Sequence, residues 1–353
     1  MRAALLEALA GVDRLVLLGD ALELRQGPLR EALAAARPLL TELGAALGRD
    51  GEVVLVPGNH DHQLVTPWLE RRRRDREPPP LRLDEQAMWA PGDPAATVAE
   101  WLAPARLTVR YPGVWLRDDV YATHGHYLDR HTRVPTFERL SAGVMGRMVG
   151  PLPAPPPAGP GARPDDYEAA LAPIYAWSYA LAQHADDRTQ GTQGVSVRVW
   201  RTLAGGDGHR PLRRRALAAL FPLGVAAINR AGIGPVQADV SGPALGRAGV
   251  AAMADAVAHL GIDARHVIFG HTHRAGPRER DDPAPWTARG GVRLHNTGCW
   301  VFEPHFVGRD PYGSPYWPGH AIRLDDDPAS SPRLVRLLEG FGYDELAAPA
   351  VRA

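Results

Sequence analysis

The chain has 353 residues, forty basic and forty acidic side chains and a single cysteine. Balanced charge supplies no global field for nucleic acid or an anionic membrane, one cysteine rules out an intramolecular disulfide framework, and the length allows one large domain with an insertion or two smaller ones. All forty basic residues are arginine, alongside 37 glycines and 34 prolines, a compositional bias with no catalytic meaning.

The first residues have helical spacing over 2–12 and lack a long apolar stretch with a cleavage site, so they read as a helix and not as a secretory signal. A strand at 14–18, a helix at 28–47 broken or capped near Gly44 and Gly48, and a strand at 52–56 follow. This alternation predicts a parallel sheet. The arginine-rich stretch 68–77 carries flanking acids and runs into three prolines, which marks a solvated helix end more than a nucleic-acid patch. A short helix at 97–103 and paired strands at 111–116 and 119–123 come next.

Between about 130 and 245 the alternation lapses. Helical stretches at 136–149, 167–184 and 211–230 flank a proline- and glycine-rich run, Pro151 to Pro164, that reads as a linker or exposed loop. The apolar run Ala216 to Ile228 contains Pro222 and falls short of the ~20 residues of a membrane span. It either packs on the core or docks on a membrane surface or a partner. The expected organisation is thus a main domain, 1–129 and 246–345, and a largely helical insertion or cap, 130–245. A helix from Arg247 to Leu260 leads into a strand at 267–269, with further strand candidates at 292–295, 299–302, 320–325 and 333–338. Cys299, in an apolar strand-like run, reads as a buried, inert thiol. A cytoplasmic, soluble protein is the expectation by default.

Four polar signatures punctuate this order: Gly19-Asp20, Gly58-Asn59-His60-Asp61, His124-Gly125-His126 and Gly270-His271-Thr272-His273. Three follow apolar strands directly, which places metal-ligand residue types on loops at the carboxyl edge of a sheet, where open α/β folds keep their sites. Any one of them has a plain structural reading. A Gly-Asp after a strand is common in turns, and Gly-Asn-His-Asp alone could be an Asx turn. Their conjunction in one order points to chemistry.

Together these signatures resemble the calcineurin-like metallophosphoesterase family, most closely bacterial members whose last signature is Gly-His-Thr-His. The resemblance spans mainly residues 13–62, 119–129 and 265–300. It implies a four-layer α/β/β/α sandwich, with a helical insertion shaping the pocket and two divalent ions (Mn, Fe or Zn). The reaction implied is hydrolysis of a phosphomonoester, phosphodiester or pyrophosphate by a metal-bound hydroxide. Asp20 would bridge both ions, Asn59, His124 and His271 would complete the second, and His273 would serve the first. His60 would sit by the phosphate, oriented by Glu23, a role open to imidazole because its ordinary pKa lies near neutrality. The partner implied is a small phosphorylated substrate, a nucleotide or a lipid headgroup ester, with arginines 130, 133 and 147 as candidate phosphate contacts or solvated cations. His62 and His126 read as neighbours of ligands or solvent-facing groups, and Asn296-Thr297-Gly298 as a packing turn.

The family's opening Asp-x-His does not precede Gly19, so the first strand is missing from this reading and one metal site keeps half its protein ligands. An upstream strand outside the given sequence, a working one-metal enzyme, and a catalytically impaired relative acting as a binding or scaffold module are the three explanations.

Overall fold

The computed structural model describes residues 1–154, 161–183, 223–237, 242–304, 306–307 and 313–347. The architecture is mixed α/β and divides into two compact units. One comprises residues 1–23, 30–125 and 263–353, and the other 24–29 and 126–262. The expected insertion boundary at 246 falls inside a helix of the second unit, Gly242–Leu260. Among the described residues no helix is long and apolar enough to cross a membrane.

In the first unit, helix α1 (Arg2–Ala8) precedes strand β1 (Arg14–Leu17), helix α2 (Leu29–Leu47) and strand β2 (Glu52–Leu55). Helix α3 (Thr66–Arg73), strand β3 (Asp84–Gln86) and helix α4 (Pro94–Leu102) lead to the long strand β4 (Arg106–Arg117) and to β5 (Val120–Thr123). Of the expected break or cap in α2, the cap at Gly48 is present and a break at Gly44 is not. The helix runs through Gly44, whose bare Cα lies against the Leu102 carbonyl, and ends where Gly48 adopts φ +72°. Glycine at 44 thus serves close packing, and only Gly48 serves termination.

Strand β4 organises the sheet. Its first half pairs with β2 in parallel, Leu55 opposite Val109, and its second half pairs with β5 antiparallel, Gly113 opposite Thr123. The carboxyl ends of β2 and β5 therefore approach the middle of the same strand from opposite directions. Strand β1 pairs with β2, while β6 (His266–Phe269) and β7 (Arg293–Asn296) extend the other side from β5, all in parallel. The sheet curls, because Val54 and Val56 from one half meet Val114, Val120, Ala122 and Ile268 from the other in one apolar cluster. Strands β8 (His320–Arg323) and β9 (Arg333–Arg336) form a separate antiparallel pair, and Ile322 and Leu324 cover that cluster.

The strand expected at 299–302 is not formed; the run is irregular, the Cys299 carbonyl accepting from the Gly319 N–H at 2.9 Å, and Cys299 is half-buried with its thiol pushed up to about 12 by burial. The second unit holds helices α5 (Phe137–Val149), α6 (Pro164–Gln183), α7 (residues 223–230) and α8 (Gly242–Leu260). Of the expected helix 211–230, residues 211–222 lie outside the described residues, as do 155–160 of the proline-rich run and the amino-terminal part of the apolar run 216–228.

Candidate metal centre

Each signature occupies the loop after a strand: Asp20 beyond β1, Asn59 and His60 beyond β2, His124 beyond β5, and His271 and His273 beyond β6. Metal-ligating atoms of Asp20, His124 and His271 all lie within 4.8 Å of one another. Asn59 joins them, its Oδ1 standing 3.2 Å from His124 Nε2 and 3.1 Å from His271 Nδ1. His124 Nε2 is also 3.1 Å from Asp20 Oδ2. Donor atoms each about 2.0–2.2 Å from one cation, at roughly right angles, stand ~3 Å apart, so the spacing fits a single bound ion. The chemistry fits equally. Two imidazoles, a carboxylate and an amide oxygen suit Mn, Fe or Zn.

The backbone confirms how tightly these positions are held. Among the described residues, the non-glycine positions with positive φ are Asp20 (53°), His271 (63°) and His273 (59°). A left-handed conformation costs a β-carbon-bearing residue on the order of 1–2 kcal/mol, and such strain gathers where geometry is over-determined. Gly19 and Gly58 make room for the cluster. A Cβ on either would enter the His124 ring, and one on Gly58 would also strike Asp20.

His124 Nδ1 lies 2.9 Å from the Leu18 carbonyl, to which it donates, so Nε2 is the nitrogen turned to Asp20 and Asn59. A backbone carbonyl holding the far N–H is the usual support of a ligating histidine. Burial opposes ionisation of Asp20, but the charge and hydrogen bond of His124, with His60 and His271 nearby, hold its carboxyl well below the usual range. Burial likewise works against protonation of His124, yet Asp20 and the Leu18 carbonyl raise its pKa. His273 stands outside the convergent group. Burial depresses its imidazole to about 4, assisted by the neighbouring histidines and opposed by Asp20.

The predicted orienting contact is present: His60 Nδ1 lies 2.6 Å from Glu23 Oε2, and the His60 amide donates to Asp20 Oδ1 at 2.9 Å. Two further residues, both inside the motifs, matter although Asp61 was given no task and Asn296 only a packing one. Asp61 is fully buried and accepts from the backbone N–H groups of Gly58, Asp20, Ala21 and Leu22 at 2.6, 3.1, 2.9 and 3.3 Å. One carboxylate thereby ties the first signature to the second. Burial and the Asp20 charge raise its pKa to about 6 against the pull of those N–H groups. Asn296, also fully buried, donates to the Gly270 carbonyl and to Thr272 Oγ1, both at 2.9 Å, and so braces the loop of the last signature. Its place in Asn-Thr-Gly was the available signal.

His62 and His126 are both buried, which corrects the solvent-facing expectation. His62 sits edge-on to Tyr111 with Nδ1 near Thr66 Oγ1, and His126 packs edge-on between Tyr127 and Tyr175 in the second unit. Arg130 is half-buried and reaches the Gly150 carbonyl, burial lowering its pKa, while Arg147 donates to the Ala231 carbonyl. Comparison of the chain with protein-family models, with curated proteins and with solved structures finds no match.

Proposed function

We propose that the chain is a metal-dependent phosphoesterase of the calcineurin-like kind, built as a four-layer α/β/β/α sandwich with a helical insertion. The observation that carries this reading is the convergence of four electron-pair donors, Asp20, Asn59, His124 and His271, from four separate loops. Two of those four, Asp20 and His271, sit on left-handed backbone. Donor atoms alone, gathered at that spacing, repel one another unless a cation or proton lies between them. A divalent ion held there lowers the pKa of water and neutralises charge on phosphoryl oxygens.

The chain's own residues supply the remaining tasks. His60, with its Nδ1–H directed at Glu23, presents Nε2 to a phosphoryl or leaving oxygen, where it stabilises developing charge and returns a proton. Glu23 is a positioning residue that fixes the tautomer. Asp61 and Asn296 hold the loops. His273, outside the convergent group, would serve a second ion together with the bridging carboxylate of Asp20.

Hydrolysis of bis(p-nitrophenyl) phosphate and p-nitrophenyl phosphate in Mn(II) tests this. EDTA should abolish turnover, and His60→Ala should lower kcat about 10²- to 10⁴-fold while manganese still binds. Turnover that survives EDTA, or that His60→Ala leaves intact, would refute the assignment.

A further inference from the structure

We infer that the second unit carries an acyl-chain site, a cleft that takes the hydrocarbon tail of a single-chain anionic amphiphile. Helices α5 and α6 each present an apolar stripe at i, i+4, i+8 spacing: Leu140, Val144 and Met148 on one, and Pro173, Trp177 and Leu181 on the other. Between the two stripes, with Ile228 and Ile233 on a third side, lies a cleft of about 500 Å³. Ser141 contributes its one hydroxyl, and the rest of the lining is apolar. The volume is that of a small-ligand pocket, which spans ~300–1,000 Å³. Val144, Met148, Trp177 and Leu181 remain 46–75% exposed, an apolar concentration that soluble surfaces rarely leave open without use.

Charge selects the ligand's other end. The described walls, 137–149, 173–183 and 223–237, contain Arg139, Arg147 and Arg230 against one acid, Glu138. Glu138 is engaged by Arg25 at 3.6 Å, and Arg139 is buried on the Thr132 carbonyl. Arg147 and Arg230 remain, and among the described residues neither meets a carboxylate. The Arg147 guanidinium lies on the turn at Ala231 and Gly232, between the lining residues Ile228 and Ile233. A hydrocarbon chain fills a concave cleft that offers one hydroxyl, whereas a nucleotide or sugar would lose its hydrogen bonds there. A carboxylate or phosphate head meets the arginines. This site stands independently of the chemistry proposed for the metal centre.

Calorimetry with saturated fatty acids from eight to sixteen carbons, each kept below its micelle threshold, tests the inference on the full-length protein. The expected result is one ligand per chain, with affinity rising about fourfold per methylene and then levelling at one chain length when the cleft is full. Val144→Glu should weaken binding at least tenfold. Arg147→Gln with Arg230→Gln should erase the preference for the carboxylate over the monoglyceride of equal length. All three positions are largely exposed, and an unchanged melting temperature would show that each variant folds. Absence of saturable binding, binding indifferent to Val144→Glu, affinity that climbs without levelling, or binding to phosphatidylglycerol vesicles alone would overturn it. So would a self-associated protein that Val144→Glu turns into a monomer.

Discussion

Asp61 shows how much of the candidate site is held by a residue outside the cluster of donors. Four backbone N–H groups from two loops end on its carboxylate, and alanine there would strand them in a buried setting at ~1–3 kcal/mol each if unsatisfied. Asp61→Ala should therefore destabilise the fold by about 3 kcal/mol or more in urea titration, and loosen manganese binding as well. An unchanged midpoint would show that the loops hold without it. At this scale the sequence was informative about identity and silent about division of labour. The signature residues are legible because each is a ligand type placed after a strand, and the His60–Glu23 contact follows from that placement. The packing turn at Asn296 was legible from Asn-Thr-Gly, but the task of Asp61 was not, since it depends on which backbone N–H groups come near, and no side-chain pattern encodes that. For His62 and His126 burial removes the solvent-facing alternative and leaves the other, since a histidine beside a ligand can turn inward onto aromatic rings as readily as outward.

Among the elements, long apolar strands and amphipathic helices were readable, and the errors have local causes. Strand β3, Asp-Glu-Gln, has no hydrophobic period at all. It exists through pairing with β4, reinforced by Arg72 on Glu85 and Arg110 on Asp84. The run 299–302 has strand composition but forms no ladder; beside residues 319–320 it makes one backbone bond, Gly319 N–H to the Cys299 carbonyl, and Trp300 Nε1 donates to the His320 carbonyl at 3.1 Å. Gly44 invited a helix break, although the glycine's purpose is contact with the end of α4. That contact yields a prediction against propensity. Alanine is the better helix former by ~1 kcal/mol, yet a methyl group at position 44 meets the Leu102 backbone, and overpacking costs ~1–3 kcal/mol. Gly44→Ala should lower the melting temperature; a rise would mean that α2 and α4 part easily.

For the molecule as a whole, histidines held neutral by the fold weaken it in acid, His295 and His131 among them. Burial, with nearby histidines and arginines, depresses His295 to about 4 and His131 to about 3, from an ordinary 6.5. In the unfolded chain both imidazoles take up protons as pH drops through 6.5, while in the folded chain they resist until much lower. Their contribution is thus complete above pH 6.5 and declines steadily toward pH 4 and 3. The urea midpoint should fall over that interval, and His295→Gln should flatten part of the decline; an identical pH profile for the variant would clear His295 of the effect. The α/β class and the convergence of signatures at strand ends were legible from alternation and spacing. The curl of the sheet was not, because it arises from β4 serving two partners with its two halves, a matter of pairing register that one strand's composition does not announce.

The most direct test of the metal centre is equilibrium dialysis against Mn(II), with metal content measured for the unmodified chain and for His271→Ala. Binding of one manganese per chain, lost on His271→Ala with the circular dichroism spectrum unchanged, is the predicted result. A chain that binds no manganese, or a His271→Ala variant that binds it equally well, would contradict the assignment of Asp20, Asn59, His124 and His271 to one ion.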